Sequence, residues 1–230
     1  EVDRKTQEAI AELGARPAFL GYRVGKAVFP KTLCVSINEQ VVHGIPGKRI
    51  VQPTDLVSVD FGLVDSSSYY VDMAFTVAMP ETDEKSRCLA QDTEACLTQG
   101  IQAARIGARI GDIGHAIQTH AESNGFSVVR EFCGHGIGRK FHEEPQVLHY
   151  GKPGTLEELQ PGMTFTIEPM VNAGKRDIKE MGDGWTIITR DHSLSAQWEH
   201  TVLVTPTGYE VLTLSEGSPP LPDFVTTTRC

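Results

Sequence analysis

Two histidines stand seven residues apart in the glycine-rich stretch 132–145, with His135 between two glycines and His142 ahead of two glutamates. The stretch is too rich in glycine to form a helix interior, so we expect both imidazoles on tightly folded backbone. Further along the chain, Glu168 and Glu199 each stand alone in a strand-like run. Histidine combined with scattered strand carboxylates is a donor set that binds divalent transition metals. The sequence therefore predicts a site for one or more such ions.

Two aspartates, Asp60 and Asp72, extend this set and flank a hairpin that the sequence centres near Ser66. In that register the two aspartates lie opposite each other across the ladder, close enough to share a pair of ions. Asp65 falls in the turn itself, where an aspartate is more often a turn former than a ligand. With Glu168 and Glu199 the chain then holds four acids and few nearby cationic residues. Burial of an unpaired carboxylate has a prohibitive cost in free energy, and two divalent ions would balance the charge of the four acids.

Each of these residues has a simpler interpretation when it is taken singly. An isolated glutamate in a strand is usually solvated, and a histidine in a glycine turn is more often structural than a ligand. Strand alternation, however, puts apolar side chains on the face opposite to Glu168 and to Glu199, so we expect both to point inward. Five such residues in one chain favour the metal site over five separate explanations.

Length and composition indicate a globular protein that is long enough for one large domain or two small ones, and we take residues 1–230 as a single domain. The chain has 230 residues, of which 40% are hydrophobic and 22% charged. No apolar run approaches the roughly 20 residues of a membrane helix, and no signal segment opens the chain. A net charge of -9 argues against a general phosphate-backbone binder. Five cysteines without a CxxC pair predict a reducing compartment, which we take to be the cytoplasm.

Hydrophobic periodicity predicts helices over residues 4–13 and 83–106, and a third helix capped by Asp112 that stops at Gly125. Alternation predicts strands over residues 31–37, 40–42, 56–61, 69–79, 126–131, 163–171, 185–190 and 197–204. The tail after Leu214 is expected to be extended on the surface. The order of elements indicates a mixed α+β domain.

A long-range echo links the two halves of the chain. His43-Gly44-Ile45 precedes a strand that ends in Asp60, and His135-Gly136-Ile137 precedes a strand that ends in Glu168. The echo predicts two similar halves, each contributing a histidine turn and an acidic strand to one shared cleft.

Several motifs are similar to those of the type I methionine aminopeptidases, over about residues 1–214. They are Val42-His43-Gly44-Ile45-Pro46, Cys133-Gly134-His135-Gly136-Ile137-Gly138, Phe141-His142-Glu143-Glu144-Pro145, Pro161-Gly162-Met163-Thr164-Phe165-Thr166-Ile167-Glu168-Pro169 and Gln197-Trp198-Glu199-His200-Thr201. The resemblance implies the pita-bread fold, an α+β architecture of pseudo-two-fold halves with a curved antiparallel sheet covered by helices. It also implies that the family's N-terminal helical segment is missing before Glu1.

The resemblance assigns the metal ligands residue by residue. Asp60 chelates one ion, Asp72 and Glu199 bridge both, and His135 with Glu168 completes the other. Glu168 is also placed to shuttle protons. Two divalent ions are implied, and Mn, Fe, Co and Zn all accept this mixture of carboxylates and imidazole.

The resemblance also assigns the substrate contacts. His43 and His142 contact the substrate amide, as catalytic groups that steady the tetrahedral intermediate. A pocket for the methionine side chain draws on Tyr22, Phe29, Cys34, Phe141 and Trp185. Without the resemblance, the aromatic residues of this set are ordinary core residues and Cys34 is a buried thiol.

Two departures from the family pattern bear on these assignments. The interval from Asp60 to Asp72 is one residue longer than the family usually shows, so the hairpin needs an extra loop residue or a bulge. The region around residues 26–28 is lengthened as well, which blurs the assignment of Tyr22 and Phe29 to the pocket.

The implied function is removal of the initiator methionine from nascent proteins whose second residue is small. The partner is then the N-terminus of a peptide or nascent chain, and the ribosome is a candidate partner. We expect a monomeric enzyme that binds neither a membrane nor a specific nucleic acid. Two alternatives stand beside it. One is an X-prolyl aminopeptidase or dipeptidase of the same fold, although these usually carry a further N-terminal domain. The other is a non-catalytic pita-bread binding protein, although such proteins typically lose ligands.

Overall fold

The computed structural model describes residues 1–214, so the tail predicted beyond Leu214 lies outside the described residues. The helices are α1 (Val2–Glu12), α2 (Glu84–Ala103) and α3 (Ile110–Ser123), close to the three predicted ranges. Within residues 1–214, none of the helices combines the length and apolar character that crossing a bilayer requires.

The strands are short and every pairing between them is antiparallel. In chain order they are β1 (Arg16–Pro17), β2 (Arg23–Val24), β3 (Ala27–Val28), β4 (Cys34–Ile37), β5 (Gln40–Val42), β6 (Leu56–Val64), β7 (Tyr70–Ala78), β8 (Ser127–Val128), β9 (Gly134–Gly136), β10 (Glu143–Val147), β11 (Thr164–Ile167), β12 (Met170–Asn172), β13 (Ile178–Glu180), β14 (Ile187–Thr189), β15 (Ser195–Gln197), β16 (His200–Thr205) and β17 (Gly208–Val211).

Two long helices, α2 and α3, pack against each other and cover one face of the strands. The core that they form includes Leu97, Ile113, Ile117, Phe165 and Val202, each with at most 1% of its surface exposed. Burial of this apolar surface is the main stabilising term and fixes the strands on which the polar side chains stand.

The start of α3 corrects one prediction. The helix begins at Ile110 with Arg109 as its N-cap, so Asp112 is its third residue and not its cap. The Asp112 Oδ2 atom accepts the Arg109 backbone N–H at 2.7 Å, as in the second half of a capping box. The helix therefore starts earlier than an aspartate cap at position 112 predicts, and it ends before Gly125, whose φ is +82°.

The hairpin of β6 and β7 also differs from its predicted register. Asp60 pairs with Ala74, and Asp72 pairs with Gly62, so the two aspartates are not opposite each other. They nevertheless share one face. Ala74, the partner of Asp60, lies two residues from Asp72, and side chains two residues apart in a strand point to the same face of the sheet. The prediction was wrong because the hairpin is centred on residue 67 and not on Ser66.

The loop of this hairpin explains the shift in register. Asp65 Oδ1 accepts the backbone N–H groups of Ser67 and Tyr69, at 2.9 and 2.8 Å, and so acts as the predicted turn former. The ladder runs without a register shift from Leu56↔Ala78 to Val64↔Tyr70. The extra residue between Asp60 and Asp72 is therefore taken up by the loop and not by a bulge.

One continuous register joins the two strand runs that carry the glutamates. The pairs run from Thr164↔Leu203 to Ile167↔His200 and resume at Met170↔Gln197. Residues 163–171 and 197–204 were each predicted as one strand, and each is interrupted at its glutamate. The same register places Glu168 directly opposite Glu199.

The glycines around His135 have a different role from the predicted one. Residues 134–136 form the extended strand β9, so His135 does not lie on a tight turn. A Cβ atom at Gly134 would collide with the Thr166 carbonyl, and one at Gly136 with the Glu144 carbonyl. Glycine is needed here because neighbouring strands approach closely. His43 does meet the expectation of tight backbone, since its φ is +58°.

The close approach at β9 predicts a stability difference between two glycine substitutions. Gly134→Ala should lower the free energy of unfolding by about 1–3 kcal/mol, because the added methyl group has no space beside Thr166. Gly182→Ala is the matched control, since a Cβ there meets nothing within 4 Å. Urea denaturation of both variants measures the difference, and equal midpoints would contradict the packing described here.

Candidate active site

A row of paired residues crosses β4, β6 and β7 and ends at Glu199, which lies between β15 and β16. The row carries three of the predicted site residues. Cys34 of β4 pairs with Asp60 of β6, and Asp60 pairs with Ala74 of β7. Ala74 in turn bridges to Glu199, with the Glu199 N–H donating to the Ala74 carbonyl at 2.8 Å. Paired residues project from the same face of a sheet. The side chains of Cys34, Asp60 and Glu199 therefore emerge side by side.

The partners of the two aspartates are the smallest residues available. Ala74 lies opposite Asp60, and Gly62 lies opposite Asp72. A Cβ atom at Gly62 would come within 3.1 Å of Asp72 Oδ1. These small partners leave the space around the carboxylates open. The carboxylates therefore face a cavity instead of another side chain.

A second group of residues reaches the same cavity from β9 and β11. His135 Nδ1 lies 2.9 Å from the Gly136 carbonyl, which can only accept, so the ring proton sits on Nδ1. Its Nε2 atom is free and lies 3.7 Å from Glu168 Oε1. Thr166 Oγ1 accepts the His135 backbone N–H at 3.0 Å and donates to Glu168 Oε1 at 2.8 Å. One threonine thus ties the histidine to the glutamate.

The five predicted ligands meet in one cavity, whose walls include Asp60, Asp72, His135, Glu168 and Glu199. Donor atoms of Asp72, His135 and Glu199 lie within 4.8 Å of one another. Three buried carboxylate oxygens, one each on Asp60, Asp72 and Glu199, have no hydrogen-bond partner within residues 1–214.

A divalent cation fits this set of donors. No lysine or arginine is among the described residues that line the cavity. Carboxylate oxygens and a neutral imidazole nitrogen are the ligands that first-row transition metals accept, and the Nδ1–H···O=C bond orients His135 Nε2 as such a ligand. The unpartnered oxygens and the free nitrogen are therefore a coherent set of ligand atoms.

The electrostatics of the cavity are those of acids crowded together without a counter-charge. Burial raises the pKa of Asp60 to about 7 and the pKa of Glu168 to about 8. For Asp72 and Glu199, burial and the negative charges of their neighbours raise the pKa well above its usual range. Burial also lowers the pKa of His135 to about 4. A cation of charge +2 would displace the protons that these acids otherwise keep.

Two further histidines flank the acids. His43 follows β5, contacts the Trp185 and Phe132 rings edge-on, and burial lowers its pKa to about 4. His142 lies at the mouth of the cavity, with its ring centroid 4.2 Å from that of His135. The Tyr22 hydroxyl lies 2.9 Å from His142 Nδ1, which leaves Nε2 of His142 for another partner.

An apolar pocket adjoins the acids within the same cavity of about 370 Å³. All five residues predicted for it, namely Tyr22, Phe29, Cys34, Phe141 and Trp185, line that cavity. Phe29 packs edge-on against Trp185 with ring centroids 5.2 Å apart. The lengthened region forms the β2–β3 ribbon, which is closed by the Phe29 N–H donating to the Tyr22 carbonyl at 2.8 Å. The extra residues therefore leave Tyr22 and Phe29 in the wall.

Sequence reasoning missed several residues of this site. Phe19 packs on Phe29 and Phe141 with centroids 6.2 and 5.5 Å apart. Thr166, whose hydroxyl donates to Glu168, stands in one of the motifs but was not recognised as a partner of that glutamate. His149 is fully buried, and its Nε2 atom lies 3.1 Å from the Glu168 backbone nitrogen. Burial lowers the pKa of His149 to about 3. Its apolar neighbours in the sequence gave no signal of such a contact.

Comparison with known proteins identifies the family. A model of metallopeptidase family M24 matches residues 1–206. The chain belongs to metallopeptidase family M24. Methionine aminopeptidase A of Synechocystis sp. is 50% identical to it over 205 residues, which cover 88% of this chain and 79% of that protein. The resemblance to methionine aminopeptidases read from the motifs is thereby confirmed.

Solved structures agree with this placement. The crystal structure of methionine aminopeptidase from Rickettsia prowazekii is 43% identical, with a TM-score of 0.89, and the match covers 93% of this chain and 84% of that one. The pita-bread fold expected from the motifs is confirmed. Prolidase from Pyrococcus furiosus, at 22% identity and a TM-score of 0.64 over 80% of this chain and 49% of its own, shares the fold alone.

The crowded acids predict how stability depends on pH without metal. In the unfolded chain Asp60 and Glu168 are ionised above pH 6, whereas in the folded protein they lose their protons near pH 7 and 8. The folded state holds protons here that the unfolded chain has already lost, so unfolding releases protons. The free energy of unfolding should therefore fall by roughly 1 kcal/mol or more between pH 7 and 8, since the raised pKa values of Asp72 and Glu199 act in the same direction. Urea denaturation of protein stripped of metal measures this fall.

The same experiment with Mn²⁺ or Co²⁺ present supplies the control. Bound cations keep the carboxylates ionised in the folded state, so the metal-loaded protein should not lose stability over this interval. Metal-free stability that rises from pH 7 to 8 would contradict the crowding of acids described here.

Proposed function

We propose that this protein is a metal-dependent methionine aminopeptidase that removes the initiator methionine from chains whose second residue is small. The observation that carries the proposal is a cavity with four buried carboxylates and one free imidazole nitrogen beside an apolar pocket. The family and its relatives named methionine aminopeptidase support the same activity.

Two divalent ions would be held by the five residues that converge on the cavity. Asp60 would chelate one ion, and His135 with Glu168 would complete the ligands of the other. Asp72 and Glu199 would bridge the pair. In support, the three acids other than Glu168 each keep a buried oxygen without a partner among the described residues.

When bound, the ions would supply Lewis-acid polarisation of the scissile carbonyl and a water of lowered pKa. Glu168 would move the proton of that water to the leaving amine, as general base and then general acid. One feature suits it to this role. The Thr166 hydroxyl donates to its carboxylate at 2.8 Å and so fixes the orientation of the group.

The two flanking histidines would bind the substrate backbone. His43 lies on the wall between the acids and Trp185, where its imidazole can contact the peptide group after the first residue. His142 Nε2 faces the same space, since Tyr22 occupies its Nδ1 side. Donors aimed at the scissile carbonyl oxygen stabilise the negative charge that develops on it in the transition state.

The apolar pocket would select the side chain of the substrate's first residue. The unbranched thioether side chain suits the pocket of Phe29, Cys34 and Trp185, and each buried methylene contributes about 0.8 kcal/mol. Recognition of the ribosome, a monomeric state and a cytoplasmic location remain predictions.

Hydrolysis of short peptides tests the proposed activity. Metal-loaded protein should release methionine from Met-Ala-Ser, and removal of the metal with a chelator should abolish the release. Ala-Pro-Ser is the control for an X-prolyl enzyme and should remain intact. Folded, metal-loaded protein that leaves Met-Ala-Ser intact would show that the proposed function is wrong.

Substitution of one bridging aspartate tests the ligand assignment. Asp72→Asn should remove tight binding of one ion, because the amide carries no charge and is a weaker ligand. Calorimetric titration of metal-free protein with Co²⁺ gives the stoichiometry. Asp65→Asn is the matched control, since the loop aspartate lies outside the cavity and asparagine keeps its acceptor oxygen. A stoichiometry unchanged by Asp72→Asn would point to another ligand.

A further inference from the structure

We propose that His149 is a positioning residue that fixes Glu168 by accepting the hydrogen bond of its backbone N–H. The proposal rests on the proposed function for the role of Glu168 in the reaction. It assigns a role to a histidine that does not line the cavity and touches no substrate.

The Glu168 N–H needs a hydrogen-bond acceptor because the strand run is interrupted at this residue. Residues Thr164–Ile167 form β11 and Met170–Asn172 form β12, so Glu168 stands between two paired segments, directly before Pro169. On the other side of β11, the pairing with β9 is limited to Phe165↔Gly136 and does not extend to Glu168. The N–H of Glu168 donates instead to His149 Nε2, at 3.1 Å. The imidazole takes the place that a strand carbonyl would otherwise occupy.

The imidazole is held rigidly because α3 packs directly on its segment. His149 has no exposed surface. A Cβ atom at Gly114 of α3 would collide with the carbonyl groups of Leu148 and Tyr150, so the helix lies against the backbone on both sides of His149. The Gln118 side chain, also on α3, accepts the Gly151 N–H at 3.2 Å. A core helix thereby sets the position of Nε2.

The hydrogen bond defines which nitrogen carries the proton. A backbone N–H can only donate, so Nε2 of His149 must be unprotonated and Nδ1 must carry the ring hydrogen. Within the described residues this buried Nδ1 has no hydrogen-bond partner. A buried donor without a partner lowers stability, so the contact with Glu168 is the feature that explains a polar ring at this position.

Glu168 is consequently fixed at both ends. His149 holds its backbone, and Thr166 Oγ1 holds its carboxylate at 2.8 Å. Thr166 also accepts the His135 N–H, so the same network sets the distance of 3.7 Å between Glu168 Oε1 and His135 Nε2. Loss of the His149 contact would let the interrupted strand shift and would move the carboxylate away from the second proposed metal site.

Three substitutions at position 149 distinguish loss of the hydrogen-bond acceptor from loss of packing. In glutamine the side-chain oxygen reaches about as far as Nε2, whereas in asparagine it reaches only as far as Nδ1. Phenylalanine fills the space without an acceptor. We expect His149→Asn and His149→Phe to lower kcat for Met-Ala-Ser about 10- to 100-fold with little change in KM. His149→Gln should retain most of the wild-type kcat.

Binding of Co²⁺ to metal-free protein gives a readout that does not depend on activity. His149→Asn and His149→Phe should weaken Co²⁺ binding at one of the two sites and alter its visible absorption spectrum. His149→Gln should retain the wild-type affinity and spectrum. His120→Phe is the control for loss of a buried histidine, because His120 on α3 pairs with Asp92 and does not line the cavity. This control should leave kcat and Co²⁺ binding unchanged.

The outcomes distinguish the inference from the proposed function. Wild-type kcat and wild-type Co²⁺ binding in all three variants at position 149 would overturn the positioning role, as would equal losses in His149→Gln and His149→Asn. If the wild-type protein releases no methionine at all, the proposed function fails. The Co²⁺ titration then still decides whether His149 positions Glu168.

Discussion

The structure depends on one electrostatic constraint, the burial of four carboxyl groups around a cavity that no described lysine or arginine enters. Glu168 and Glu199 stand directly opposite each other in a continuous register, an arrangement that repels when both are ionised. The packing of α2 and α3 on the strands holds these acids in place. The fold therefore crowds acids that keep protons without metal and can all ionise together only when cations of charge +2 are bound.

Two sheets meet at this cavity, and that junction explains why residues distant in the chain act together. The bridge between Ala74 and Glu199 links the β6–β7 hairpin to the β11–β16 ladder. His43 and Asp60 come from one side of the junction, and His135 and Glu168 come from the other. The echo in the sequence thus corresponds to two halves that face one cavity, with neutral imidazoles and an apolar wall around the acids.

Much of the fold, and the convergence of the candidate residues on one cavity, could be predicted, because strand alternation and short motifs are local properties. The register of Asp60 and Asp72 could not, since the turn chemistry of Asp65 shifts the centre of the hairpin by one residue. The glycines beside His135 serve close strand packing, which only the folded neighbours reveal. The contact of His149 with Glu168 joins two segments that are distant in the chain, and neither the sequence around His149 nor that around Glu168 predicts it.

Anomalous X-ray diffraction from crystals of the protein loaded with Mn²⁺ is the most direct test of the central claim. We expect two anomalous peaks inside the cavity, both within coordination distance of the Asp72 and Glu199 carboxylates, with His135 Nε2 bound to one of them. Peaks only at the protein surface, or a cavity that stays free of anomalous density while the protein binds Mn²⁺ in solution, would contradict metal binding by these acids.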